Sequence, residues 1–367
     1  MEKKIKAMSY RRVLILILVL LPFHPILPQG ASETRSFIKS FTVAKESVLE
    51  VNNKYGNIEI TTWDSDSAYV RAEIKASAPN QSKLGKMFDE ISVKITGTGN
   101  LILAQTVFNQ SINAFFENFK GMTNKVISYE SQVEINYFIK VPEYMNLRID
   151  NRYGDIFLEK ISGNFELTLS NGSLKTDVPG RKSSLRLSFC DATITSFISG
   201  SIDASFSDIT ISDIKMIKIK TISSKYRINK AGSIEIESRR DDLFIDNIGN
   251  LEGDSYFSDF EVGSLTESLN LVSRYGDLDF DNISPQFESI NINSGFSDIS
   301  LDFDPDASYS IEVRTLNSFL SLPSGIKREE RTLDSGKKEY ITTGTAGQNP
   351  GSRLLKIDAN RGKIYIK

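Results

Sequence analysis

The sequence predicts an all-β protein, a single-chain β-solenoid (β-helix-like) of ~17-residue coils with a small antiparallel sheet inserted near the N-terminus. Two observations lead to this prediction. One short phrase recurs along the chain at a nearly constant spacing, and apolar residues alternate with polar ones inside each copy. A sustained period is typical of solenoid repeats, and alternation is typical of strands with one buried face.

The recurring phrase is an aromatic residue, a small residue, Asp, and two apolar residues separated by any residue. Taking its first apolar residue as a marker gives Ile156, Leu174, Ala192, Ile209, Tyr226, Leu243, Phe260, Leu278 and Ile299. The steps between markers are 18, 18, 17, 17, 17, 17, 18 and 21 residues. Seventeen extended residues trace about 56 Å, which fits one coil of two or three short strands.

The alternation inside each repeat predicts which side chains are buried. Ile209 and Ile236 belong to columns that stay apolar from repeat to repeat, so they should point into the core. Thr210 and Glu235 have the opposite parity and should point outward.

Residues 1–31 form a predicted export signal. A basic start is followed by an unbroken apolar run over 13–21, which Pro22 ends, and small residues come after it. This is the three-part pattern of a secretory signal. A membrane anchor is the alternative, but a span needs about 20 apolar residues. We expect a mature N-terminus between Gly30 and Glu33.

The mature chain should be acidic. Cleavage after residue 31 leaves 39 basic and 46 acidic side chains, a formal net charge of −7. We expect no nucleic-acid partner, because phosphate binding needs clustered Lys and Arg. No later apolar run is long enough to cross a membrane, so no span is expected after signal removal.

The repeats divide the remaining chain. Residues 32–63 and 353–367 hold terminal strands or coils, because the phrase recurs in both, and residues 147–323 hold the main repeats. Residues 324–352 are polar and rich in glycine, which predicts a loop or hairpin.

Residues 64–146 form the larger insertion, with the predicted antiparallel sheet. A short helix is predicted over 81–90, since Leu84, Met87 and Phe88 share one side. Strands are predicted over 69–76, 91–95, 101–107 and 133–141.

The segment 108–126 within this insertion contains Phe115, Phe116 and Phe119 at near-helical spacing. It could form a helix that binds a partner or touches a membrane. Alternatively, it could be a short helix or ordered loop whose phenylalanines pack under the sheet, and this second interpretation is favoured.

Residues for common catalytic and metal sites are missing from the mature sequence. His24 is the single histidine and lies in the export segment, which excludes histidine triads, histidine bases and histidine-bound metals. Cys190 is the single cysteine, which excludes an internal disulfide and a cysteine-rich zinc site. Without a histidine partner, Cys190 should be a packed thiol. We predict no catalytic residue, no cofactor and no metal ligand.

An acidic residue precedes the marker in most repeats. This column consists of Asp155, Asp191, Asp208, Asp242, Asp259, Asp277 and Asp298. It could bind calcium, but calcium takes about six to eight oxygen ligands and each coil supplies one carboxylate. An Asp after a small residue bonds the backbone in turns, so a structural role is favoured.

An aromatic column lies two residues before these aspartates. It consists of Tyr153, Phe189, Phe206, Phe257, Tyr275 and Phe296. If these rings face outward they form a ligand platform, for example for stacking sugars. If they face inward they belong to the core. Strand parity does not decide between the two, because turns interrupt it.

Two segments carry recognisable motifs. The first is 51–60, VNNKYGNIEI, followed by Trp63, and the second is 135–142 followed by 147–156. They resemble the landmarks of the bacterial putative-adhesin family of β-strand repeat proteins, many of which are known only as a domain of unknown function. The resemblance covers roughly residues 40–325. It implies an exported β-solenoid and an adhesive function, and it brings no catalytic residues.

These patterns together predict an exported, non-enzymatic cell-envelope protein that binds through a repetitive surface. It could reside in the periplasm, at the outer membrane or on the cell surface, with a surface polysaccharide or an envelope protein as partner. A passive envelope scaffold or assembly partner is the alternative. A polysaccharide lyase or hydrolase is disfavoured, because identical turn aspartates provide no unique carboxylate pair.

Overall fold

The computed structural model describes residues 30–109, 127–128 and 131–367. The apolar run of the predicted export signal and the phenylalanine-rich stretch over 110–126 lie outside the described residues. The described part is all-β apart from one helix, as predicted, and its strands belong to one long sheet. No helix in these ranges has the length and apolar character needed to cross a membrane.

The strands follow one another with short turns between them. The N-terminal elements are β1 (Ala31–Thr42), β2 (Val48–Lys54), β3 (Ile58–Thr62), β4 (Ser67–Ala78), α1 (Gln81–Glu90), β5 (Ile91–Thr98), β6 (Leu101–Phe108), β7 (Ile127–Ser128) and β8 (Ser131–Val141). The central strands are β9 (Asn146–Arg152), β10 (Ile156–Leu158), β11 (Phe165–Thr176), β12 (Ser183–Phe197), β13 (Gly200–Ser205), β14 (Asp208–Ile222), β15 (Lys225–Arg239), β16 (Asp242–Tyr256), β17 (Asp259–Arg274), β18 (Leu278–Ile283), β19 (Ser289–Gly295) and β20 (Ile299–Phe303). The C-terminal strands are β21 (Tyr309–Leu316), β22 (Phe319–Ser321), β23 (Lys327–Asp334), β24 (Glu339–Ala346), β25 (Leu354–Asn360) and β26 (Lys363–Ile366).

Helix α1 occupies the predicted positions. The Asn80 side chain accepts a hydrogen bond from the Lys83 backbone N–H at 2.9 Å, which caps the helix start. Leu84, Met87 and Phe88 are its buried side chains, as their spacing predicts.

Neighbouring repeats pair in parallel through their marker residues. Ile209 lies opposite Tyr226, Tyr226 opposite Leu243, and Leu243 opposite Phe260. The step from one partner to the next is therefore 17 residues in these strands. We call each layer of this pairing a rung.

Each long strand takes part in two parallel ladders. In β15, residues 225–231 pair with β14 and β16 in the first ladder, and residues 233–239 pair with the same strands in the second. Residues 240 and 241 then connect the second ladder of one rung to the first ladder of the next. This connection, which we call the corner, recurs along the sheet.

Strands near both ends of the sequence pair with strands that are far from them along the chain. Strand β3 pairs with β10 through Ile58 and Ile156, although almost a hundred residues separate them. Strand β26 lies between β20 and β22, so the last strand of the chain is an internal one. In the segment predicted as a loop or hairpin, β23 and β24 form an antiparallel pair, and β24 also pairs with β21.

The N-terminal insertion contains the predicted antiparallel pairs but is not a separate sheet. Strand β4 is antiparallel to β1 and β8, and β5 is antiparallel to β6. Strand β8 is also parallel to β3, and β6 is parallel to β2. A terminal rung would otherwise expose unpaired N–H and C=O groups, and these strands cover them.

Burial follows the predicted parity. Ile209 and Ile236 are both 0 % exposed, whereas Thr210 is half-buried and Glu235 is exposed. The strand register derived from the sequence is therefore confirmed at these positions.

Candidate functional site: an exposed aromatic ladder

The corner of successive rungs contains a residue with a left-handed backbone. In the described ranges, twelve corners hold such a residue, with φ between 51° and 66°: Tyr55, Tyr153, Asn171, Phe189, Phe206, Ser223, Arg240, Phe257, Tyr275, Phe296, Asn317 and Arg361. None of the twelve is glycine. The left-handed conformation costs an L-residue about 1–2 kcal/mol. Most of these corners therefore hold a bulky side chain in a conformation that it disfavours.

Backbone hydrogen bonds hold the corner in this conformation. The Phe206 N–H donates to the Ile222 carbonyl of the next rung at 3.0 Å, and the Phe257 N–H donates to the Arg274 carbonyl at 2.8 Å. Ser207, Ser258 and Ser297, which follow the corner aromatics Phe206, Phe257 and Phe296, are buried. The left-handed turn breaks the in–out alternation at this point.

The aromatic column faces outward. Strand parity leaves open whether these rings belong to the core, and the structure shows that they do not. The six members of the column are between 39 % and 58 % exposed. Tyr55 occupies the equivalent corner of an earlier rung and is half-buried. We call the set the aromatic ladder: Tyr55, Tyr153, Phe189, Phe206, Phe257, Tyr275 and Phe296.

Adjacent rings of the aromatic ladder stack on one another. Their centroids lie 4.8 to 5.4 Å apart, with interplanar angles of 5° to 17°. The stacked pairs are Tyr55–Tyr153, Phe189–Phe206, Phe257–Tyr275 and Tyr275–Phe296. This spacing follows from the strands themselves, which lie about 4.7–4.9 Å apart.

Polar residues interrupt and terminate the ladder. The interruptions lie at Asn171, Ser223 and Arg240. At one end, the Arg361 guanidinium carbon lies 4.8 Å from the Phe296 ring centroid. Near the other end, the Lys54 ammonium lies 4.5 Å from the Tyr55 ring centroid. Cations in these positions are attracted by the ring faces.

This stacking determines which surface the rings offer. Within each stacked pair the two ring faces that meet are covered, and Tyr275 is stacked on both of its faces. The ring edges remain exposed and form an apolar ridge along the corners. The outward orientation therefore agrees with the first of the two alternatives considered from the sequence, in which the rings provide a contact surface.

Asp155, Asp259 and Asp298 of the aspartate column accept hydrogen bonds from backbone N–H groups of the neighbouring rung, and not from their own turn. The Asp155 carboxylate accepts from the Ser173 N–H at 2.8 Å, and the Asp298 carboxylate accepts from the Lys363 N–H at 2.8 Å. These bonds tie successive rungs together. Within the described ranges, no group of three or more His, Cys, Asp or Glu side chains could hold a metal ion.

The buried residue between the aromatic and the aspartate forms a polar line through the corners. The Ser207 N–H donates to Ser224 Oγ at 3.2 Å, and the Ser224 N–H donates to Asp241 Oδ1 at 2.7 Å. The Asp241 N–H in turn donates to Ser258 Oγ at 3.2 Å. Cys190 belongs to this line, and burial raises the pKa of its thiol, which fits the packed thiol predicted from the sequence.

Asp241 is a buried carboxylate that the repeat pattern does not predict. Besides the Ser224 N–H, it accepts hydrogen bonds from Ser238 Oγ and from the Arg239 N–H, both at 2.7 Å. Burial raises its pKa, which these hydrogen bonds offset in part. The signal in the sequence is a pair of consecutive aspartates, 241–242, where most other repeats have a small residue and then Asp.

The chain is similar at low sequence identity to several solved structures, among them the following three. One is a "putative cell adhesion protein" from Clostridium sporogenes, 12 % identical, covering 91 % of this chain and 99 % of that chain, with a TM-score of 0.19. A "putative adhesin" from Parabacteroides distasonis is 8 % identical, covering 74 % and 93 %, with a TM-score of 0.32. A "putative adhesin" from Bacteroides fragilis is 10 % identical, covering 93 % and 99 %, with a TM-score of 0.28.

These descriptions name the same kind of protein as the family that segments 51–60 and 135–156 resemble. No family model matches the chain, and no curated protein does.

Proposed function

We propose that this chain is an exported, non-enzymatic binding protein of the cell envelope, of the adhesin type. In this proposal the chain is a β-solenoid with coils of about 17 residues, and it holds an envelope protein through the aromatic ladder along its side. The observation that supports this proposal is the row of exposed, stacked aromatic rings at corners with a left-handed backbone.

The strain supports a role in binding. Asn171, Ser223 and Asn317 occupy equivalent corners, so small polar residues suffice to make this turn. An aromatic residue in place of Asn adds about 1 kcal/mol of backbone cost there and exposes apolar surface. Contact with a partner is a reason to retain the rings, because binding would bury their edges.

The regular spacing supports an extended contact. Three rings in succession, Phe257, Tyr275 and Phe296, lie 4.8 and 4.9 Å apart. Such a ridge makes many similar weak contacts along a partner, and their sum can give high avidity. Covered ring faces favour an apolar strip on a protein over a sugar chain. Export is supported by the three-part signal pattern over residues 1–31.

The test compares ladder variants with a matched control. Immobilised mature chain is exposed to solubilised envelope proteins, and its partner is cross-linked and identified. Phe206→Ser and Phe257→Ser together should weaken capture of that partner at least tenfold. Phe319→Ser is the control, because Phe319 and Phe206 are both 55 % exposed and Phe319 lies outside the ladder.

Equal capture by the ladder variant and the control would contradict the proposed surface. Protease treatment of intact cells separates a surface location from a periplasmic one. Cleavage of polysaccharides during incubation with the chain would overturn the non-enzymatic assignment.

A further inference from the structure

A second aromatic cluster lies on the outer face of the first rungs, away from the corners. It surrounds a shallow cleft of about 550 Å³. Its aromatic side chains are Trp63, Tyr69 and Phe138, and its charged and polar ones are Glu59, Thr61, Arg71 and Lys140. Trp63 is the single tryptophan of the chain. We call this the Trp63 cleft.

Strand pairing assembles the cleft from distant parts of the sequence. In the pairing of β3 with β8, Glu59 lies opposite Phe138 and Thr61 opposite Lys140. In the pairing of β8 with β4, Phe138 also lies opposite Arg71, and Lys140 opposite Tyr69. Side chains opposite one another point to the same face, so each row carries an aromatic ring beside polar groups.

Hydrogen bonds and ring contacts hold the cleft side chains in place. Trp63 Nε1 donates to the Ser67 carbonyl at 2.8 Å, so the indole is held at its N–H. Its ring lies 6.5 Å from the Tyr69 ring at an angle of 58°, so the two rings are tilted, unlike the stacked pairs of the aromatic ladder. The Arg71 guanidinium carbon lies 4.2 Å from the Phe138 ring centroid and pairs with Glu73.

The charges of the cleft balance. Glu73 pairs with Arg71, and the exposed Lys140 and Glu59 carry opposite charges on neighbouring strands. A neutral ligand with a ring that presents C–H groups on its face and hydroxyls at its edge fits this combination. The Trp63 and Tyr69 rings would contact such a face, since the Arg71 guanidinium lies over the Phe138 ring, while ammonium, guanidinium and carboxylate groups bond the hydroxyls.

We propose that the Trp63 cleft binds a neutral hexopyranose unit of a polysaccharide. This site is independent of the partner surface proposed above, because it lies on strand faces and the aromatic ladder lies on corners. A protein with both surfaces would link a glycan to an envelope protein.

The single tryptophan makes the site directly measurable in the full mature chain. Trp63 fluorescence is followed while neutral oligosaccharides of glucose, galactose and mannose in their common linkages are added, with polygalacturonate as the anionic comparison. A saturable change is expected for at least one of them. Lys140→Ala and Glu59→Ala should each weaken that affinity about tenfold, and Trp63→Phe should do so in calorimetry.

Two controls separate this site from other surfaces. Phe244 lies on another strand with the Lys225 ammonium 4.7 Å from its ring, so Phe244→Ala removes an aromatic–cation pair outside the cleft and should leave the affinity unchanged. Phe206→Ser removes a ladder ring and should also leave it unchanged, which keeps failure of the ladder proposal distinguishable from failure of this one. Circular dichroism confirms that each variant is folded.

Three results would overturn the assignment. The first is that no neutral oligosaccharide tested gives a saturable change in Trp63 fluorescence. The second is that Trp63→Phe leaves the affinity unchanged in calorimetry. The third is that the chain binds polygalacturonate and none of the neutral oligosaccharides. The last result would indicate an anionic ligand in place of a neutral one.

Discussion

Replacing Phe206 with Asn should alter stability little, although it removes a whole aromatic ring. Asn already occupies the left-handed corner at Asn171 and Asn317, so the substitution recovers about 1 kcal/mol of backbone cost. It also loses the stack with Phe189, whose centroid lies 4.9 Å away, a loss of about 0.5–1.5 kcal/mol.

The third contribution to the change in the free energy of unfolding is the loss of the partly buried surface of the Phe206 ring. Phe206 is 55 % exposed, so it retains less than half of the ~1.5–3 kcal/mol that full burial provides, or about 1 kcal/mol. The three contributions together give a net destabilisation of about 1 kcal/mol. Phe197 is the comparison, since it is 0 % exposed, and Phe197→Ala should cost about 3–5 kcal/mol.

Urea unfolding followed by far-ultraviolet circular dichroism measures both variants against the parent chain. The expected order is a small shift for Phe206→Asn and a large one for Phe197→Ala. If Phe206→Asn lowered the free energy of unfolding as much as Phe197→Ala, the ring would be needed for folding. The argument that it is retained for contact with a partner would then fail.

Three further predictions concern the core, the buried carboxylate and the glycines. Ile236→Asp should cost several kcal/mol because it buries an unpaired charge, whereas Glu235→Lys should cost less than about 0.5 kcal/mol, and equal melting losses would refute the register. Burial raises the pKa of Asp241, so its ionised form is disfavoured in the folded state. As pH rises from the ordinary Asp range through the folded-state pKa, the parent chain should lose stability relative to Asp241→Asn, and parallel pH profiles in urea unfolding would contradict this. Gly154→Ala should destabilise by about 1–3 kcal/mol, because its added methyl group overlaps a backbone carbonyl of the neighbouring rung. Gly85→Ala, where helix α1 leaves open space, should stabilise by about 0.5–1 kcal/mol, and thermal melts that reverse this order would refute the packing described for the glycines.

The orientation of the aromatic column shows where local pattern stops being informative. Parity assigns Ile209 to the core because alternation holds within a strand. At Phe206 the chain leaves one ladder for the next through a left-handed residue, and the alternation restarts. Only the backbone conformation of the corner determines that the rings point to solvent and stack.

The sequence by itself determined the register of the repeats and the identity of the buried columns. Equal spacing places like residues opposite one another, and the hydrophobic effect selects the apolar face in every repeat. The tertiary structure alone decided which distant segments meet. Strand β26 enters between β20 and β22, and Trp63, Tyr69 and Phe138 gather in one cleft. These arrangements depend on which strand edges remain unpaired after the repeats have stacked, and backbone hydrogen bonding at an edge leaves little trace in the side-chain pattern.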